Sequence, residues 1–190
     1  MTSPRIEPGN RREIGVLAWT IARIAGLASG TAPPNLFLTL GRHRGLFFGW
    51  LHFAGRLMPR GRLPRRETEL VILRVAHLRG CDYELEHHRR LAGAAGVSPA
   101  DLARVAEAGV GVGWSARERA LLAATDQLVE TRALDDDAWA ALREHLEDPT
   151  AIELVLLVTH YDLLATTIGA LRIEPDQPRE GSRAAVAAAS

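Results

Sequence analysis

The chain has a single cysteine, Cys81, among its 190 residues. An intramolecular disulfide is therefore excluded, and nothing in the cysteine content points to an oxidising compartment. Nor is there an excess of either charge. Basic and acidic residues number 23 each, for a formal net charge of zero. That balance argues against a nucleic-acid partner or an acidic substrate surface. The arginines at 56, 60, 62, 65 and 66 are accordingly expected to form a solvated loop. The N-terminal stretch MTSPRIEPGNRREIG lacks the apolar core of a secretory signal. Residues 151–173 are long enough to span a bilayer, but Glu153, His160, Asp162 and Arg172 interrupt them. Each ionisable group near a membrane centre costs roughly 2.5–3.5 kcal/mol. The segment is read as a buried helix of a soluble protein, cytoplasmic by default and without a membrane partner. No HExxH motif occurs, and the adjacent His87 and His88 cannot share a helix face, so no metal site is expected. No cofactor motif is visible.

What is present is helical. Apolar residues make up 47% and charged residues 24%, as in a single soluble domain with a sizeable core. No run alternates with the period of a strand, and Ala, Leu, Arg and Glu dominate. Residues 1–10 carry Pro4, Pro8 and Gly9 and are expected to be loose. A first helix is predicted from about Arg12 to Ala28, then a break at GLASGTAPPN and a short helix from about Leu36 to Arg42. LFFGWLHFAGRLM follows, and then a strongly helical run from Arg65 to Leu78 that Gly80 stops. Asp82 is the expected N-cap of the next helix, which reaches about Ala95. Ser98 with Pro99, and Ser115 with Glu118, mark two further starts. DDDAWAALREHL and a long helix from Pro149 complete an all-α domain over residues 11–173, with 174–190 expected to be disordered.

The chemistry-bearing stretch is CDYELEHH, residues 81–88. Cys81, Glu84 and His88 are spaced i, i+3, i+7 and share one helix face. Cys81 falls at the helix start, where the macrodipole and free amides favour a thiolate. Glu84 and His88 are i,i+4 neighbours, and a carboxylate beside an imidazole raises its pKa and fixes its tautomer. Glu69 opens an otherwise apolar run and, across a helical hairpin about Gly80, comes level with His88. The plain alternatives are a small buried thiol for Cys81 and a solvated ion pair for Glu84 and His88. His87 is expected at the surface, and Glu67 and Glu86 in pairs with nearby arginines.

RETELVILRVAHLRGCDYELEHHRRLAGAAGVS resembles the carboxymuconolactone decarboxylase family, which includes alkylhydroperoxidase D. Its members share a glutamate and, twelve residues on, a CxxCxxxH motif at a helix start. Glu69 matches the glutamate, Cys81 the first cysteine and His88 the histidine, while Glu84 stands where the second cysteine would be. The likeness extends over roughly residues 16–173. It implies an all-helical fold of the alkylhydroperoxidase D type, homo-oligomers, pockets at or near subunit interfaces, and cofactor-independent chemistry. Without the second cysteine the two-cysteine peroxidase cycle cannot close, and a sulfenate at Cys81 would need an external thiol. The pattern is closer to the decarboxylase-like branch. The expected function is therefore a cofactor-independent lyase or isomerase on a small organic acid or lactone. His88 would be the acid/base and Glu84 and Glu69 its tuning partners, with His88→Ala inactive but folded. Tyr83 and His160 would line the pocket, and Arg74 would bind a substrate carboxylate. The alternatives are a one-cysteine peroxidase using Cys81, and a non-catalytic helical oligomer or ligand-binding module.

Overall fold

The computed structural model describes residues 3–58 and 60–179. They form an all-α fold: no strand occurs among them, and one isolated bridge joins Thr31 to Pro178. Two compact units are distinguished, one from residues up to Phe53 together with those from Ile168 onward, the other from Ala54 to Thr167.

In the first unit, Asn10 and Glu13 form a capping box that starts α1, Arg11–Ile14. Gly15 then takes φ +85°, where a Cβ would meet the Arg44 guanidinium at 3.1 Å. The helix expected as one piece is thus divided there, and α2 runs Val16–Ser29. Next come α3, Asn35–Leu40, and α4, Arg44–Leu57. Ile14, Ala18 and Phe47 are the buried centre, with Trp19, Phe37 and Trp50 packed around them. Phe37 meets Phe47 edge-on at 5.7 Å. In the segment read as loose, the Arg5 amide donates to Leu171 O and the Gly9 amide to Leu38 O. In the segment read as a tail, Asp176 accepts from the Asn35 amide at 2.8 Å. The rest of that tail, residues 180–190, lies outside the described residues.

The second unit is built around α5, Arg65–Leu78, in which every residue from Glu67 to Ala76 is buried. Its sequence, ETELVILRVA, is apolar almost all round, which suits a helix covered on every side. Around it are α6, Asp82–Ala92, α7, Pro99–Val105, α8, Ala116–Thr131, α9, Asp136–Arg143, and α10, Asp148–Leu171. Leu70, Leu73, Ala92, Val97, Val105, Trp114 and Leu122 make one core cluster. Capping boxes at Ser98/Asp101 and Ser115/Glu118 start α7 and α8.

The corner between α5 and α6 is a Schellman motif. Gly80 is left-handed at φ +58°. The Gly80 amide donates to His77 O and the Cys81 amide to Ala76 O, which satisfies two orphan carbonyls. Cys81 is at once the residue that closes this motif and the N-cap of α6; Asp82, the expected cap, is the first helical residue.

By length and composition α10 could cross a membrane, and 44% of its most apolar window is buried within the protein. The polar groups that interrupt its sequence have partners. Glu153 accepts from the Arg62 and Leu63 amides, and Asp162 pairs with Arg79.

Candidate functional site

Three helices bring the titratable groups together. From α5, Glu69 Oε2 lies 2.7 Å from Nδ1 of His88 on α6. Nε2 of the same ring lies 3.3 Å from Oε2 of Glu84, one turn earlier on α6. From α10, the Tyr161 ring meets His88 edge-on at 5.2 Å. All four are buried, Glu69 at 0% exposure, His88 at 2% and Glu84 at 3%. Oε1 of Glu69 is 2.6 Å from Arg65 Nη2, an ionic contact one turn back on α5. Oε1 of Glu84 is buried and has no hydrogen-bond partner among the described residues.

This order, Arg65–Glu69–His88–Glu84, alternates charge and sums to zero when His88 is protonated. Burial is the strongest single influence on His88 and disfavours its charged form. The hydrogen bonds and charges of Glu69 and Glu84 together outweigh it and push the imidazole from 6.5 to about 9. A group whose folded pKa is raised adds stability that is fully present below its unfolded pKa. That stability is lost as the pH climbs through the folded pKa. For His88 the contribution is about 3 kcal/mol below pH 6.5, declining to nothing above pH 9. NMR titration of the ring carbons should show a midpoint near 9; a midpoint near 6.5 would contradict the bracketed geometry.

Cys81 is 7% exposed. Burial is the largest influence and raises its pKa; the charges of Glu84 and Asp82 add to this, while the Glu84 and Tyr83 amides oppose it. The thiolate expected from the helix start is thereby corrected: two carboxylates and an apolar setting outweigh the amides. Alkylation by iodoacetamide at pH 7 should be slower than for a free thiol such as glutathione, and its rate should level off at a higher pH. Faster labelling than glutathione would show an activated thiol instead.

Of the expected ligand-contacting residues, Tyr83 is 5% exposed and its ring lies parallel to that of His87, 6.4 Å away. His160, 6% exposed, stacks edge-on with Tyr161. Burial lowers the His160 pKa, with the Glu84 charge working against it. Arg74 is not at the site. It is 2% exposed, forks onto both oxygens of Asp126 on α8, and donates to the carbonyls of Val105 and Glu107. Its donors are used in holding α5, α7 and α8 together, so it has no fork left for a substrate carboxylate. The basic cluster also needs correction. Arg65 and Arg66 are helical, Arg65 on Glu69 and Arg66 on Asp101 and Glu118. Glu67 pairs with Arg117 and Glu86 with Arg90, and His87 is half-buried.

Arg65 and Tyr161 are absent from the sequence-derived site. The i,i+4 spacing of Arg65 and Glu69 is a signal that could have found the first. Tyr161 is flanked by the two polar residues, His160 and Asp162, that did attract attention. Burial pushes the Tyr161 phenol well up, and the Glu84 and Glu69 charges push it further, against Arg65.

Helix order and site geometry define an alkylhydroperoxidase-type helical fold, and solved structures share it. One, from Ralstonia eutropha JMP134, is an alkylhydroperoxidase AhpD core described as an uncharacterized peroxidase-related protein. It matches with a TM-score of 0.81 at 19% identity, covering 92% of this chain and 93% of that one. A peroxidase-related protein from Silicibacter sp. TM1040 matches at 0.78 and 15% identity, covering 92% and 95%. The debrominase Bmp8, in complex with 2,3,4-tribromopyrrole, matches at 0.73 and 17% identity, covering 97% of each chain. At these identities the likeness establishes the fold alone. No curated protein matches the sequence. The carboxymuconolactone decarboxylase family profile matches residues 45–127, a stretch that includes Glu69, Cys81, Glu84 and His88. Residues 45–127 thus resemble the carboxymuconolactone decarboxylase family, and the fold is that of AhpD-like proteins.

Proposed function

We propose that the protein is a cofactor-independent proton-transfer enzyme, a lyase or isomerase, in which Glu84 is the terminal acid–base group. One observation carries this reading: both nitrogens of His88 face carboxylates, so the ring has no atom left for a substrate, whereas Glu84 keeps one buried oxygen without a hydrogen-bond partner among the described residues. His88 is then the charged relay rather than the group in contact. With the proton on His88, Oε1 of Glu84 takes a proton from an acidic position of the substrate. His88 stabilises the exchange through Oε2, and Glu84 returns a proton to the carbon that has gained the electron pair. Glu69 and Arg65 hold the far end of the relay. A panel of lactones and enolisable ketones in D2O tests this. Deuterium should appear at a carbon of the product at a rate that depends on Glu84. Ligand binding without deuterium uptake would favour a silent binding module.

A second reading, a one-cysteine peroxidase, draws support from Cys81. It caps α6 where the family has its first cysteine. The two peroxidase-related structural neighbours are in keeping with it. Dimedone trapping of a sulfenate at Cys81 after an organic hydroperoxide would select it. Self-association belongs to either reading. Ile152, Leu156, Thr159, Leu163 and Thr166 form an exposed, uncharged stripe on α10 at alternating spacings of four and three. Light scattering should give a mass that is a multiple of 20.7 kDa.

A further inference from the structure

We infer that the ligand of this site is a small neutral molecule presenting an acidic O–H or N–H to Glu84, and not a carboxylate anion. The inference rests on the reading of Glu84 as the terminal group and narrows its substrate class. It follows from counting donors, acceptors and charges around one buried oxygen.

The acceptor is Glu84 Oε1, on a residue 3% exposed, with no hydrogen-bond partner among the described residues. An unpaired buried carboxylate oxygen is costly, and a donor is what satisfies it. His88 does not supply one to it, since its Nε2 approaches the other oxygen and its Nδ1 is with Glu69. Besides His88, the groups on which the Glu84 charge acts are Cys81, His160 and Tyr161, none of them a cation at neutral pH given the direction of their shifts.

The arginines of α5 and of its C-cap are committed elsewhere. Arg65 is on Glu69 and donates its other nitrogen to Met58 Sδ, 2.8 Å away. Arg74 is on Asp126, and Arg79 on Asp162 and Val129 O. Among the described residues no unpaired cation contacts Glu84. Arg65 and His88 together balance Glu69 and Glu84, and an anionic ligand would leave a net buried negative charge beside two carboxylates. A neutral donor keeps the balance and fills the open acceptor. This favours isomerisation or elimination on a neutral substrate over loss of carbon dioxide, whose substrate brings its own carboxylate.

Phenol and benzoate are matched in size and opposite in the property at issue. Their binding to the full-length protein at pH 7 can be followed by NMR shifts of Tyr161 and His88. Phenol should bind at least about tenfold more tightly than benzoate, and Glu84→Gln should weaken phenol by about tenfold or more. Benzoate binding as well as phenol, phenol binding that ignores Glu84→Gln, or no phenol binding at all would each overturn the inference. The competition between the two probes on the unaltered protein decides it even if the variant is unstable. The same spectra report the His88 titration. A midpoint near 9 with phenol failing would sink the ligand class and leave the relay standing. A midpoint near 6.5 would sink the relay itself.

Discussion

Glu84→Gln is expected to lower kcat by about 10²–10⁴-fold, the usual contribution of a positioned acid–base group. Gln is nearly isosteric and keeps a side chain that can reach His88, so the helical circular dichroism should stay as it is. What changes is the charge. His88 loses one of the two carboxylates that hold its proton, and its pKa should fall from about 9 toward 6.5. Rate and titration are therefore tied: a variant that turns over normally while its His88 pKa has dropped would remove Glu84 from the mechanism. Cys81→Ser is the matching control. Under the proton-transfer reading it leaves the rate within a few-fold; under the peroxidase reading it abolishes peroxide consumption.

His88→Ala should be costly in a different quantity. From sequence the variant is expected to fold normally and lack activity. The structure makes it a stability variant first. Glu69 and Glu84 are 0% and 3% exposed, and removing His88 leaves two buried carboxylates with Arg65, among the described residues, as the cation paired with them. Removing one partner of a buried pair typically costs about 3–5 kcal/mol, which for a chain of this length is roughly 6–20 °C in Tm. The pH dependence gives the sign. The stabilisation that His88 gains from its raised pKa is full below pH 6.5 and gone above 9, so the variant's deficit should be larger at about pH 6 than at about pH 9. Denaturant melts of both proteins at the two pH values measure this directly. A deficit that is small and independent of pH would mean that the carboxylates are not buried against the ring.

Much of the fold could be read from patterning. The starts of α7 and α8 are written in capping boxes, and the α5 stop in Gly80, because these signals act over three or four residues. Gly15 was harder. A glycine inside an apolar helical run is compatible with one continuous helix, and its φ of +85° beside the Arg44 guanidinium is seen only in the structure. The site divides along the same line. Cys81, Glu84 and His88 share one helix face and can be found by counting. Arg74 could not be judged this way. Its position on α5 says nothing of Asp126, and only packing shows that its fork is already filled. Tyr161 arrives from a helix more than seventy residues away, and no local rule joins it to His88. The thiolate expectation failed for a related reason. A helix start is visible in sequence, but the desolvation that opposes it is a property of the whole unit.

The Schellman corner at Gly80 has a consequence for how such chains can change length. It lets α5 end and α6 begin with no spare residue, because Cys81 serves both helices. The two act like meshed gears with a fixed phase. One added residue between Gly80 and Asp82 would turn α6 by about 100°, swinging Glu84 and His88 away from Glu69 while leaving every helix intact. Indels should accordingly be tolerated in the 106–114 connection and rejected at 80–82, and an insertion there would give a folded protein with an ordinary histidine.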